Sequence, residues 1–121
     1  MNQFVSLEHW GGNPYVSSRT TEKFISTTRD IVDLIAWCGE NGTSLCLMWD
    51  TNLPPEFYDL KSGIAGEMLQ KVSNYHMRLA IVGSFALATS ARFREFMAES
   101  NKGSQVYFAA DNDEALAWLM K

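Results

Sequence analysis

The sequence predicts an α/β fold in which an N-terminal β-hairpin leads into alternating helices and strands. The expected sheet has about five strands, mostly parallel, with helices flanking it. Three observations carry this. Short apolar runs bounded by turn residues, at 45–49, 79–82 and 106–109, have the profile of buried parallel strands. The segments between them repeat apolar residues at helical spacing. Ahead of them, Gly11-Gly12-Asn13-Pro14 is a strong turn signal between two strand-like stretches.

Taken in order, Phe4, Val5, Leu7 and Trp10 lie in the first strand-like stretch, and residues 15–20 are rich in β-formers. A helix starts near residues 26–28, where Ser and Thr supply N-caps. Ile31, Leu34, Ile35 and Cys38 form its apolar stripe, and Gly42 suits the position just past its end. After the strand at 45–49, residues 51–55 read as a loop. A second helix is expected over 62–75, with Ile64, Ala65, Met68, Leu69, Val72 and Tyr75 facing the core and a Glu67–Lys71 pair one turn apart. The strand at 79–82 ends at Gly83. A third helix begins near Ser90, buries Phe93, Phe96 and Met97, and stops around residues 101–103. The last strand, 106–109, is followed by a capping-box pattern at Asp111 and Glu114 and a short helix carrying Ala115, Leu116 and Leu119. Parallel pairing requires right-handed crossovers. The turns after Trp49, Val82 and Ala109 must then share one edge of the sheet, where open α/β sheets bind ligands.

The 121 residues fit a single domain, with the hairpin at 1–20. A net charge of −4 argues against nucleic acid and against an acidic membrane surface. Arg92, Arg94 and Lys102 lie near one another, but Glu95 and Glu99 interleave with them. No secretory leader and no membrane-length apolar run is visible, so a cytoplasmic location is expected. Cys38 and Cys46 sit among apolar residues and read as buried thiols. His9 and His76 are far apart, with no second ligand at metal-binding spacing, so neither a metal nor a cofactor is expected. The nucleophile elbow, the phosphate-binding loop and the dinucleotide fingerprint are all missing. The glycines of Gly63-Ile64-Ala65-Gly66 suit close packing of a helix on the sheet.

Segment 50–74 concentrates the polar residues that amphipathicity does not require: Asp50, Asp59, Ser62, Glu67, Gln70 and Asn74. Glu67, Gln70 and Asn74 lie three and four apart and share one helix face. That face reads as a solvated surface, as a contact surface for a partner chain, or as part of a ligand or catalytic site.

The run Phe57-Tyr58-Asp59-Leu60-Lys61-Ser62-Gly63-Ile64-Ala65-Gly66-Glu67-Met68-Leu69-Gln70-Lys71 is distinctive. It is followed by Asn74-Tyr75, Leu79-Ala80-Ile81-Val82-Gly83 and Glu99-Ser100-Asn101. Over residues 26–120 the chain resembles a bacterial family known only as domain of unknown function 4180. The resemblance implies a fold and no activity. The family pattern has an aspartate where Ser84 precedes Phe85, so a carboxylate function at that place would be impaired here. The layout also looks like that of the anti-sigma-factor antagonist (STAS) domains. That likeness implies a regulatory module that binds proteins, with a phosphorylatable Ser or Thr at the start of the helix after the central strand, where Ser62 stands.

The expectation is a non-enzymatic regulatory or protein-interaction module. The alternative is a small-molecule-binding protein or degenerate enzyme using the sheet edge. Candidate site residues are Asp50, Asp59, Ser62, Gly63, Gly66, Glu67, Gln70, Asn74, Ser84, Phe85 and Asn101. A protein partner is expected, and four tryptophans and six methionines suggest a homodimer.

Overall fold

Gly11 and Gly12 adopt φ of 57° and 82°, the left-handed pair that a two-residue type I′ hairpin turn requires. They join strand β1 (Val5–Trp10) to β2 (Asn13–Ser18), with Trp10 opposite Asn13. Asn13 and Pro14 therefore open β2 and do not belong to the turn. Arg19 N–H donates to the Phe4 carbonyl at 2.7 Å, which sets the phase of the ladder. Ser6, Glu8 and Trp10 then exchange bonds with β2, while Leu7 and His9 turn their backbone groups outward. Pro14, opposite His9, has its nitrogen on the side away from β1, so its missing N–H costs the hairpin nothing.

The computed structural model describes residues 1–121. After the hairpin come α1 (Thr28–Glu40), β3 (Leu45–Trp49), α2 (Ile64–Asn74), β4 (Arg78–Val82), α3 (Ala91–Asn101), β5 (Val106–Ala109) and α4 (Asn112–Leu119). Three short 3-10 turns, Asp50–Asn52, Pro55–Tyr58 and Leu60–Ser62, connect β3 to α2. The strands lie in the order β1-β2-β3-β4-β5, antiparallel in the hairpin and parallel thereafter. The strands at 45–49 and 79–82 are neighbours, as their apolar character predicts.

Sequential order with right-handed crossovers puts every crossover helix on one face. The packing agrees. Val5, Val16, Cys46, Met48, Leu79, Ile81, Val106 and Phe108 share one core with residues of α1, α2 and α3. The alternate residues Leu47, Ala80, Val82 and Ala109 form a second core with Ala115, Leu116, Trp118 and Leu119 of α4. Cys38 and Cys46 are both buried in the larger core, and the Cys46 thiol is held protonated by its hydrogen bond to Cys38 and by burial.

Arg78 holds α4 in place. Its guanidinium donates to the carbonyls of Trp118 (2.8 Å), Leu119 (3.1 Å) and Lys121 (3.2 Å) at the helix C-terminus, and to Ser104 O at 3.0 Å. It also lies 4.2 Å over the Trp118 ring. The helix begins on Asp111, whose carboxylate accepts from Glu114 N–H at 2.9 Å. The Glu114 carboxylate accepts from Ala110 N–H and from Tyr107 O–H.

Several boundaries differ from the sequence reading. α2 starts at Ile64, because the chain first spends three residues in a 3-10 turn and then takes a left-handed conformation at Gly63 (φ 79°). Tyr75 lies past the helix end and is 55% exposed, so it does not extend the apolar stripe. Glu67 and Lys71 do not pair; the ion pairs present are Arg29–Asp33 and Glu99–Lys102. No helix is long and apolar enough to cross a membrane.

Asn52 is the one polar residue in the buried set. Its Oδ1 accepts Trp49 N–H at 2.7 Å, and its Nδ2 donates to Thr20 O and Glu22 O, both at 2.8 Å. Its backbone carbonyl accepts from Phe24 and Ile25. Replacement of Asn52 by Ala keeps the backbone carbonyl but leaves Trp49 N–H, Thr20 O and Glu22 O without their side-chain partner in a fully buried site. It should lower stability by about 3 kcal/mol, read as a fall in urea midpoint at unchanged slope.

Candidate functional site

The carboxyl ends of β3 and β4 carry Asp50 and Gly83, and their proximity shapes the sheet edge. Trp49 lies opposite Val82 in the register, so the next residues on the two strands meet. A Cβ at Gly83 would fall on the Asp50 carboxylate, and only glycine leaves room for it. Asp50 Oδ2 accepts from Phe85 N–H at 2.9 Å. That bond fixes the loop after β4, where Phe85 holds φ at 55° against the ordinary preference of a bulky residue. The Phe85 ring stands edge-on to Phe108, 5.5 Å between centroids.

Over this loop lies an open cleft of about 430 Å³, lined by Asp50, Tyr58, Ser84, Phe85, Leu53 and Leu87 among others, with Lys23 at its margin. No protein donor reaches Asp50 Oδ1, and Asp50 takes part in no ion pair. The cleft can therefore receive a small molecule with a hydrogen-bond donor for Asp50 and an apolar part for Leu53 and Leu87. Asp111, in the turn after β5 on the same sheet edge, is not among its lining residues; it caps α4, as its capping-box pattern predicts. Tyr58 is buried and donates to the Asp50 carbonyl at 2.6 Å. Burial, and then the nearby Asp50 charge, push its hydroxyl far above the usual tyrosine range.

The other candidates fall into separate places. Asp59 accepts from Lys61 N–H at 3.1 Å within a 3-10 turn. The single Ser62 hydroxyl proton is shared between the carbonyls of Glu56 (2.6 Å) and Asp59 (2.7 Å), and its oxygen accepts from Ile64 N–H at 3.2 Å. Ser62 therefore ties two turns to the first residue of α2, and Gly63 holds the N-cap position. Gly66 is exposed, and a Cβ there would meet nothing within 4 Å, so it does not serve close packing. Glu67, Gln70 and Asn74 share the solvent face of α2, where Gln70 Nε2 donates to Asn74 Oδ1 at 2.9 Å.

Asn101 stands apart from the rest. Its side-chain amide accepts from Phe108 N–H at 2.7 Å and donates to Phe108 O at 3.1 Å. It thus occupies the outer edge of β5 as a neighbouring strand would. Sequence reasoning did not find Asn52 or Arg78, most of whose partners are distant along the chain, nor Tyr58, whose hydroxyl reaches back across two turns to Asp50. No three His, Cys, Asp or Glu side chains stand close enough together to hold a metal ion.

The remaining surface feature is the face of the sheet opposite α1–α3. α4 packs over β3, β4 and β5 and leaves β1 and β2 uncovered. There Trp10 is 53% exposed, Glu8 faces Tyr15 across the hairpin, and Tyr15 borders Leu45. The Tyr15 hydroxyl is raised above its ordinary value by burial and by Glu8.

This hairpin-led parallel sheet, with three helices on one face and one on the other, defines an α/β module with an edge cleft and a partly bare sheet. Residues 11–119 match the family model described as Domain of unknown function (DUF4180), and the chain belongs to that family. No curated protein and no solved structure matches it.

Two outcomes test the edge geometry. Gly83→Ala should destabilise the fold by about 2 kcal/mol or more through the clash with Asp50. Added to Asp50→Gly it should cost much less, so the double-mutant cycle shows strong coupling. Tyr58 has a folded-state pKa above its unfolded value of about 10, so the neutral form is favoured by folding and its contribution is lost as pH rises past 10. Stability should therefore fall above pH 10, and less steeply in Tyr58→Phe, as read by urea titration across that range.

Proposed function

We propose that this chain is a non-enzymatic protein-interaction module whose contact surface is the uncovered part of its sheet. The observation that carries the reading is Trp10. It is 53% exposed on a sheet face that no helix covers, beside half-buried Tyr15 and Leu45. Tryptophan and tyrosine on a rigid, bare sheet provide large contact area at small entropic cost, and such residues dominate binding energy at interfaces. A fitting partner presents an apolar patch to these side chains and a donor, from a hydroxyl or a basic group, to Glu8. The polar face of α2, with Glu67, Gln70 and Asn74, is the second candidate surface. Its exposure supports the idea, and one hydrogen bond already joins its two amides. The regulatory role implied by the STAS-like layout would work through either surface, with Ser62 as the modifiable residue. A cytoplasmic setting and a homodimer belong to the same reading.

The alternative, a small-ligand protein, has support in the cleft beside Asp50. The two are separated by capture from the native host with wild type, Trp10→Asp, Asp50→Asn and a Gln70→Ala/Asn74→Ala double variant. Protein and metabolite fractions are both analysed by mass spectrometry. The expected outcome is a protein retained by wild type and Asp50→Asn and lost, by tenfold or more, with Trp10→Asp. A captured set unchanged by Trp10→Asp overturns the contact surface. A metabolite lost with Asp50→Asn, with no retained protein, establishes the alternative.

A further inference from the structure

The two outer edges of the sheet are finished differently. At β5 the Asn101 amide covers the outward N–H and C=O of Phe108. At β1 the outward groups of Leu7 and His9 meet no side chain of the protein, and only Val5 N–H is taken, by the Met1 carbonyl. β1 is thus a free edge with a short window of unpaired backbone.

We propose that this edge pairs with β1 of a second copy of the chain, antiparallel and two-fold symmetric about Leu7, so that the two sheets become continuous. The choice of partner rests on what each symmetric register would bring together. Centred on Leu7, the two Leu7 residues exchange both backbone bonds, and each His9 N–H meets the carbonyl of Val5 of the partner subunit. Leu7, already 36% exposed, then packs on Leu7 of the partner subunit. Ser6 faces Glu8 of the partner subunit, a hydroxyl donor against a carboxylate. Ser6 makes this same bond within its own strand in the single chain, at 2.8 Å.

The neighbouring registers are worse. Centring on Glu8 sets two carboxylates directly opposite, which destabilises a strand pair. Centring on Ser6 relies on Val5 N–H, which is already bonded to Met1. Centring on His9 runs Leu7 against the Gly11 turn and leaves it unpaired. The Leu7-centred register sets Leu7 against Leu7 and Ser6 against Glu8 and uses both free N–H groups, those of Leu7 and His9, so the strand is complementary to itself. The paired sheets would also place both uncovered faces, with Trp10 and Tyr15, on one side of a single surface.

This inference rests on the interaction-module reading and names one partner within it; the uncovered face could still serve another protein if the pairing fails. A contact of a few residues per chain is small, so association in the micromolar range is expected. Sedimentation of the wild-type protein over a concentration series reaching millimolar chain should show a monomer–dimer equilibrium. Leu7→Pro removes the outward N–H and no hairpin bond, and it should return a monomer with an unchanged circular-dichroism spectrum. If that variant does not fold, Leu7→Lys, which sets two like charges together, takes its place with the same expectation. Leu7→Cys should form a disulfide-linked dimer under mild oxidation, whereas His9→Cys should not, because His9 lies opposite Val5 of the partner subunit. A wild-type chain that stays monomeric throughout, a dimer that survives both Leu7 variants, or cross-linking through His9→Cys in place of Leu7→Cys overturns the pairing. None of these outcomes bears on the Trp10 capture experiment.

Discussion

The buried amide of Asn52 is the interaction on which the functional edge of this sheet depends. It bonds three backbone groups through its side chain and two more through its carbonyl, and it is wholly shielded from water. The segment leaving β2 has no ladder of its own beyond Ser18. By donating to Thr20 O and Glu22 O and accepting from the amides of Phe24 and Ile25, Asn52 turns that segment into a wall against the end of β3. The same 3-10 turn then presents Asp50 to Gly83 and Phe85, and it offers Tyr58 a carbonyl. An apolar residue at 52 could fill the space but would leave Trp49 N–H, Thr20 O and Glu22 O unpaired in a dry interior, where each orphan costs about 1–3 kcal/mol.

The second constraint is topological. A sheet built by adding strands in sequence, with right-handed crossovers, places α1, α2 and α3 on one side. The other side has only the segment after β5 to cover it. α4 is eight residues long, about 12 Å, and spans the width of two or three strands. Arg78 pins it over β3–β5 by its C-terminal carbonyls. The hairpin is therefore left with one open face and one open edge as a direct result of strand order, and Trp10 and Tyr15 occupy that space. Tyr15 packs partly against the rim of the second core, whereas Trp10 belongs to neither core.

Much of this was legible in the sequence, and the limits follow from how each signal arises. The strands at 45–49 and 79–82, the Gly-Gly hairpin, the cap at Asp111 and the end of α1 at Gly42 are local patterns, and each occupies its expected place. The start of α2 was misplaced because Ser62 has the chemistry of a cap, while Gly63, with its left-handed backbone, is where the helix turns in. Glu67 and Lys71 have the right spacing to pair, and an exposed pair of this kind gains too little to hold both side chains. The burial of Asn52 carried little local signal: its bond to Trp49 is local, but Thr20 and Glu22 lie thirty or more positions away. Asn101 stood out in the sequence as an uncommon polar residue, and its role at the β5 edge became visible only once the strand order was known.

The central claim is that the Asn52 network fixes the sheet edge as firmly as the core itself. Native-state hydrogen exchange of the backbone amides measures this directly. The amides of Trp49, Phe24 and Ile25, which donate to Asn52, should exchange only through global unfolding, with the same free energy and denaturant dependence as Ala80 and Ile81 in the middle of β4. Exchange of these three amides through local opening, at markedly lower free energy and without denaturant dependence, would contradict the account.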